Sequence, residues 1–329
     1  MSRQTAPLSL AEIQAPLRDR LGDVQQQLRR IVDSDFGLIT EVNSHLLQMQ
    51  GKLFRPTLLL LADEATAGPD PRASTLAAVV ELIHLATLVH DDSVDHSTLR
   101  RGMPTINALF SHQISVIMGD YLYSRAVIEL VRLNDLDPLH VLSRVTNEMT
   151  VGEMRQLLAH DPLSFSEEQY DLLIRAKTAS LLSGACEVGA LRAEPTERAA
   201  LRRFGEFLGM AFQIVDDLLD YTGEEAVTGK PIGSDLREHK VTLPLIYALP
   251  RLTGQSRREI ARLMATPEPT DEQIASVVAL AAEEGGLDYA QARAQRLADQ
   301  ADAELDHLRA TPARESLRAC IPYVLERRR

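Results

Sequence analysis

The sequence contains no tryptophan, and aromatic residues fill only 4% of its 329 positions, so the apolar 45% is mostly aliphatic. Cysteine is nearly absent too. Cys186 and Cys320 are too few for a disulfide framework and suit a reducing compartment. The opening "MSRQTAPLSLAEIQAP" lacks an apolar core of signal-peptide length. No unbroken run approaches the roughly 18 apolar residues of a membrane span. These absences predict a soluble, cytoplasmic protein with no transmembrane segment. Positive charge is also short: 35 Lys and Arg face 47 Asp and Glu, for a net charge of −12. Such a chain is a poor polyanion binder, and no nucleic-acid partner is expected. An anionic substrate would have to be held by a few placed cations or by metal ions.

No convincing period-2 strand is present either. What is there reads as helix. "STLAAVVELIHLATLVHDD" is free of Gly and Pro and apolar nearly all round, as a buried helix is. "LRRFGEFLGMAFQIVDDLLDY" has the same character. Further helices are predicted near 9–32, 55–67, 104–133, 138–160, 166–191, 242–250, 255–265, 270–284, 286–309 and 313–328. Pro and Gly clusters such as "AGPDPR", "RAEPT" and "TPEPTDE" punctuate them, none long enough for an interdomain linker. The expectation is one all-α domain over 1–329, a helical bundle with central helices sheathed by others around a deep cavity.

Each of the two most apolar helices carries a knot of negative charge. Asp91 and Asp95 stand at i and i+4, and so do Asp216 and Asp220; Asp92 and Asp217 lie beside them. Like charges at that spacing cost roughly 0.2–0.5 kcal/mol. Both knots lie toward the C-terminal part of a helix, where the macrodipole also disfavours carboxylates. One acidic run would by default be a solvated helix face. Two of the form DDxxD, both inside apolar helices, point instead to a divalent cation. Carboxylate oxygens are the hard ligands Mg²⁺ takes, and Mg²⁺ commonly shares substrate phosphates.

Cations stand near the knots in sequence: Arg100 and Arg101 after the first, Lys230 and Lys240 after the second, Lys52 and Arg55 in "GKLFRP", and Lys177 in "IRAKTASL". Arginine forks suit bidentate phosphate contacts and lysine acts as a point charge. A lone cation is by default a solvated surface residue, and His84 in "ELIHLA" a satisfied core histidine. As a set with metal ions, they describe a pocket for one or two diphosphates with aliphatic walls nearby.

At these residues the sequence resembles the trans-isoprenyl diphosphate synthases, the polyprenyl synthetases, and within them the long-chain, octaprenyl-like enzymes. "GKLFRP", "ELIHLATLVHDDSVDHSTLRRGMPT", "MGDYLYSRA", "AKTASL" and "FQIVDDLLDYTGEEAVTGKPIGSDLREHKVTLPLI" look like the family's signature blocks in order, from about Gly51 to Ile246. "IPYVLERRR" at the end is a weaker match. One departure is Leu53, where the family commonly has a further basic residue.

The resemblance implies Mg²⁺-dependent head-to-tail condensation of isopentenyl diphosphate with an allylic diphosphate, in a homodimer. It implies Mg²⁺ held by Asp91, Asp92, Asp95, Asp216, Asp217 and Asp220, three ions with substrate bound, with Asp91, Asp95 and Asp216 foremost as direct ligands. Arg100, Lys177, Thr178, Gln213, Lys230 and Lys240 would serve the allylic diphosphate. Lys52, Arg55, His84 and Arg101 would serve isopentenyl diphosphate. Arg100, Lys177 and Lys230 would join the metal carboxylates in stabilising the departing diphosphate. In this family the residues one turn before the first aspartate shape the tail channel. Here they are the small Ala86 and Thr87, implying a product of about C30 to C50. Rival readings are a shorter-chain synthase, a terpene cyclase and a non-catalytic partner subunit. Repeated, intact DDxxD motifs argue against the last two.

Overall fold

A computed structural model describes residues 8–49, 51–157, 162–223 and 232–327. In chain order the helices are α1 (Leu10–Gln14), α2 (Arg18–Val32), α3 (Gly37–Gln48), α4 (Phe54–Ala65), α5 (Ala73–Val94), α6 (Ile106–Leu109), α7 (His112–Arg132) and α8 (Leu136–Leu157). They continue with α9 (Glu167–Ile174), α10 (Ser180–Gly189), α11 (Pro195–Thr222), α12 (Ser234–Arg237), α13 (Leu243–Ala248), α14 (Gly254–Ala265), α15 (Asp271–Glu283), α16 (Gly286–Leu305) and α17 (Pro312–Leu325). The expected all-α class holds.

Some boundaries depart from expectation for local reasons. The helix predicted over 9–32 is interrupted by a 3₁₀ turn, Ala15–Leu17, at Pro16, whose missing N–H cannot continue the ladder. The helix predicted over 104–133 breaks at Phe110, and α7 restarts with the Ser111 hydroxyl accepting the Ile114 N–H. Within 166–191, Arg175–Ala179 form a π-helical turn between α9 and α10. α3 was not foreseen. Nor was the hairpin of β1 (Leu99–Arg100) and β2 (Met103–Pro104), whose two-residue strands are too short to show a period of two.

The chain falls into two compact units, each built from discontinuous segments. The first comprises Met1–Asn147, Leu181–Gly205 and Glu304–Cys320; the second comprises Glu148–Ser180, Glu206–Ala303 and Ile321–Arg329. At the centre of the first, α5 packs against α2, α4 and α7. Its length and composition would let it cross a membrane, but 72% of its apolar window is buried within the protein. Elsewhere in this unit α10 meets α4 backbone to backbone. A Cβ on Gly189 would stand 2.2 Å from the Leu59 carbonyl oxygen, so only glycine allows the approach.

Candidate active site

The first carboxylate cluster sits where α5 ends. Asp91 and Asp92 occupy its last turn, and Asp95 caps it by donating its N–H to the Asp91 carbonyl at 2.8 Å. Three acids thus crowd the negative end of a helix dipole. Asp92 is buried, and Arg100 grips it from β1: Nε donates to Oδ1 at 2.9 Å and Oδ2 at 3.0 Å, and Nη2 lies 2.8 Å from Oδ1. The hairpin then turns through Arg101 and Gly102, at φ 53° and 76°. Positive φ at both central residues is the type I′ pattern that matches strand twist. Arg101 consequently serves a different neighbourhood. Its Nη1 donates to the Met49 carbonyl at 2.7 Å, and its guanidinium lies so close to Gly51 that a Cβ there would stand 2.8 Å from Nη2.

Arg101 is one of a group of charges in this unit. Arg55, in the first turn of α4, keeps a buried Nε with no hydrogen-bond partner among the described residues. Burial pushes its guanidinium down to about 10, Glu81 pulls it up and Arg101 opposes. Glu81 is itself buried on α5, and desolvation raises its carboxyl while Arg55 and Arg101 lower it. One turn on, burial and then Arg55, Arg101 and Arg100 push the His84 imidazole well below its usual range, so it is neutral at pH 7. Lys52 is exposed just before α4. Leu53, the departure from the family pattern, turns into the core at φ 53°. Ala86 is buried, and the half-buried Thr87 bonds back to the His84 carbonyl at 2.8 Å.

The second unit holds the other cluster, on the last turns of α11. Asp216 is half exposed and pairs with Arg327 Nη2 at 3.2 Å, while that guanidinium stacks 4.1 Å over the Phe212 ring. Asp217 is buried. Tyr170 Oη donates to its Oδ2 at 2.6 Å and Gln213 Nε2 to its Oδ1 at 2.8 Å. Thr178 Oγ1 in turn donates to Gln213 Oε1 at 2.7 Å. Burial, then Asp235 and Asp216, raise the Asp217 carboxyl, and the Tyr170 and Gln213 hydrogen bonds hold it down. Asp220 accepts backbone N–H groups from Ser234 at 2.9 Å and Asp235 at 3.0 Å. Asp235 itself is pushed up to about 7 by burial and by Asp220. Lys177 and Thr178 both lie on the π turn, a feature frequent at functional sites, and Lys177 Nζ is 2.7 Å from Glu153. Lys240 is 2.7 Å from Glu238. Lys230 lies outside the described residues.

The expected residues thus gather into local groups in both units. Sequence reasoning missed Glu81, Tyr170, Asp235 and Arg327. A signal existed for Glu81, a charge in an apolar helix three residues before His84, and for Arg327, within "IPYVLERRR". Nothing in "SEEQYDLLI" marks Tyr170.

Both clusters offer oxygen donors only, the set for a hard cation. Among the described residues no group of three or more His, Cys, Asp or Glu side chains is arranged to enclose a metal by itself. That suits Mg²⁺, which keeps several waters and uses one or two carboxylates with substrate phosphates. Each cluster already draws an arginine, as crowded carboxylates at a helix end require. The residues fit the ion.

Residues 37–281 match the polyprenyl synthetase family. The chain belongs to that family. It is 39% identical over 308 residues to an all-trans-nonaprenyl-diphosphate synthase (geranyl-diphosphate specific) of Rhodobacter capsulatus, covering 93% of this chain and 94% of the relative. It is 38% identical over 315 residues to heptaprenyl diphosphate synthase component 2 of Geobacillus stearothermophilus, covering 94% and 97%. Among solved structures, the polyprenyl synthase of Caulobacter crescentus complexed with calcium and isoprenyl diphosphate superposes with a TM-score of 0.93 at 34% identity, covering 99% of this polyprenyl synthetase and 100% of that chain.

Proposed function

We propose that this polyprenyl synthetase is a Mg²⁺-dependent prenyltransferase that adds isopentenyl diphosphate head-to-tail to an allylic diphosphate, releasing a medium-to-long all-trans polyprenyl diphosphate. The observation that carries the reading is the repeated arrangement of carboxylates at a helix end, each set drawing an arginine, in a chain that also holds a separate cation group around Arg55 and Arg101. The calcium and isoprenyl diphosphate of the Caulobacter relative support a divalent cation on the carboxylates.

When bound, Mg²⁺ would stabilise charge growing on the departing diphosphate. Asp91, Asp95 and Asp216 would hold it. Arg100, Lys177, Lys230 and Lys240 would neutralise the same diphosphate, with Gln213 offering its second amide N–H and Thr178, whose proton goes to Gln213, holding that amide in place. Lys52, Arg55 and Arg101 would bind isopentenyl diphosphate. His84, kept neutral, donates one N–H without adding to the repulsion between the two guanidiniums. The allylic C–O bond breaks, its electron pair leaving with diphosphate. The isopentenyl double bond attacks the cation, and the proton lost from the adduct passes to the released diphosphate. No side-chain nucleophile is required, and aliphatic walls keep out the water that would quench the cation.

Small residues at Ala86 and Thr87 favour a long product. One domain over 1–329 is the reading, supported by a family match that runs through segments of both compact units. It works as a homodimer, a reading supported by the exposed Ile117, Ile128 and Val131, which share one face of α7. Two free, buried cysteines suit the cytoplasm. The test is incubation of the purified protein with Mg²⁺, isopentenyl diphosphate and farnesyl diphosphate, with products read by mass spectrometry. A ladder ending at one long polyprenyl diphosphate is expected. Arrest at C20 would establish a short-chain synthase, and no elongation by folded protein would point to a missing partner subunit, as the name "component 2" suggests for the Geobacillus relative.

A further inference from the structure

Tyr170 is 2% exposed on α9 and has no part in the mechanism above, yet its hydroxyl reaches the second carboxylate cluster at 2.6 Å. With Asp217 ionised, the hydrogen bonds around it run in one direction. Both oxygens of the Asp217 carboxylate accept, one from Tyr170 and one from the Gln213 amide nitrogen. With its nitrogen committed, Gln213 must present its oxygen to the Thr178 hydroxyl, which donates at 2.7 Å. Three elements, α9, the π turn and α11, are thereby joined by one chain of side chains. Three of its members belong to the expected allylic and metal set; Tyr170 is the fourth.

The first cluster shows the same division. Asp92 is buried, with both oxygens taken by Arg100, whereas Asp91 is only half-buried and Asp95 is exposed. In the second, Asp217 is buried and bonded at both oxygens while Asp216 is exposed. In each DDxxD the middle carboxylate is the buried one, and protein side chains hold both of its oxygens. We infer that Tyr170 is a positioning residue for the allylic-diphosphate half of the site: its hydroxyl fixes Asp217 as a bracket and, through Gln213, sets the Thr178 hydroxyl and the face of α11 that carries Asp216 and Asp220. Asp217 is then an anchor within the metal cluster and not a direct ligand. The inference rests on the function proposed above.

Removing the tyrosine hydroxyl takes away one donor and adds no bulk, leaving Asp217 and Gln213 free to reorient. Partners of this kind typically change metal affinity by roughly 10- to 100-fold. The experiment compares wild type, Tyr170→Phe, Asp217→Asn, the double variant of those two and Asp216→Asn by calorimetric titration of inorganic pyrophosphate with and without Mg²⁺. KM values for farnesyl and isopentenyl diphosphate and melting temperatures are measured alongside. Tyr170→Phe and Asp217→Asn are each expected to weaken Mg²⁺-dependent pyrophosphate binding by about tenfold or more, with the double variant no worse than the weaker single one. KM for farnesyl diphosphate should rise while KM for isopentenyl diphosphate, bound by residues of the other unit, stays level. Asp216→Asn should abolish the Mg²⁺-dependent binding.

Unchanged pyrophosphate binding in Tyr170→Phe would overturn the inference, as would both KM values rising in parallel with a lowered melting temperature. If Tyr170→Phe does not fold, Asp217→Asn decides: loss as complete as in Asp216→Asn makes Asp217 a ligand and defeats the bracket. Wild-type protein that binds pyrophosphate without regard to Mg²⁺ would defeat the functional reading instead.

Discussion

Arg100 and Arg101 are adjacent in sequence but act in different places, because the turn between β1 and β2 starts between them. Arg100 is in the strand and closes on Asp92; Arg101, at φ 53°, reaches Met49 and Gly51. Gly51 matters here for space. Gly51→Ala would put a methyl group within 2.9 Å of the guanidinium nitrogens, and the long arginine side chain, not the backbone, would yield. KM for isopentenyl diphosphate is expected to rise about tenfold, the scale of one lost charge-assisted hydrogen bond, with little change in melting temperature; initial-rate kinetics and a thermal melt check both. His84 yields a pH prediction. Its folded pKa lies below the unfolded 6.5, so the folded state resists protonation. The stability from burying it neutral is complete above pH 6.5 and is lost as pH falls from there toward the folded value. His84→Gln should therefore lose less melting temperature between pH 7 and 5 than wild type does.

At the scale of elements, α5 combines a core and a site in one helix. Its aliphatic residues bury it among α2, α4 and α7, and that burial holds its acidic C-terminal turn in place. The turn needs such support, because its charges oppose the helix dipole. The contact of α10 with α4 is a second dependency, and Gly189→Ala tests it. With backbone carbonyl on the far side there is nothing flexible to move, so a loss of about 1–3 kcal/mol is expected, read as a lowered midpoint in urea. Gly22→Ala in α2, where nothing lies within 4 Å of the new methyl, is the control and should be neutral or stabilising by about 0.5–1 kcal/mol.

For the whole molecule, the exposed face of α7 sets the assembly prediction. Placing a charge there, as in Ile117→Asp with Val131→Lys, is expected to turn a dimer into monomers, measured by sedimentation velocity. A large side chain beside the first cluster tests the tail channel. Ala86→Phe should shorten the product by several isoprene units in the mass spectrum, and an unchanged product would place the channel elsewhere.

Sequence alone determined the helical class, the buried character of α5, both carboxylate clusters and the arginine, Arg100, that closes on the first of them. Helical spacing and charge are local properties, and two DDxxD groups in apolar helices demand a counter-ion wherever the chain folds. Tertiary structure decided which carboxylate in each cluster is buried. It also decided that Arg100 and Arg101 diverge, that Lys177 and Thr178 share a π turn, and that Glu81, Tyr170 and Arg327 join the groups. Those facts depend on contacts between residues far apart in the chain. Tyr170 and Asp217 are 47 residues apart, and only packing α9 beside α11 makes one the partner of the other.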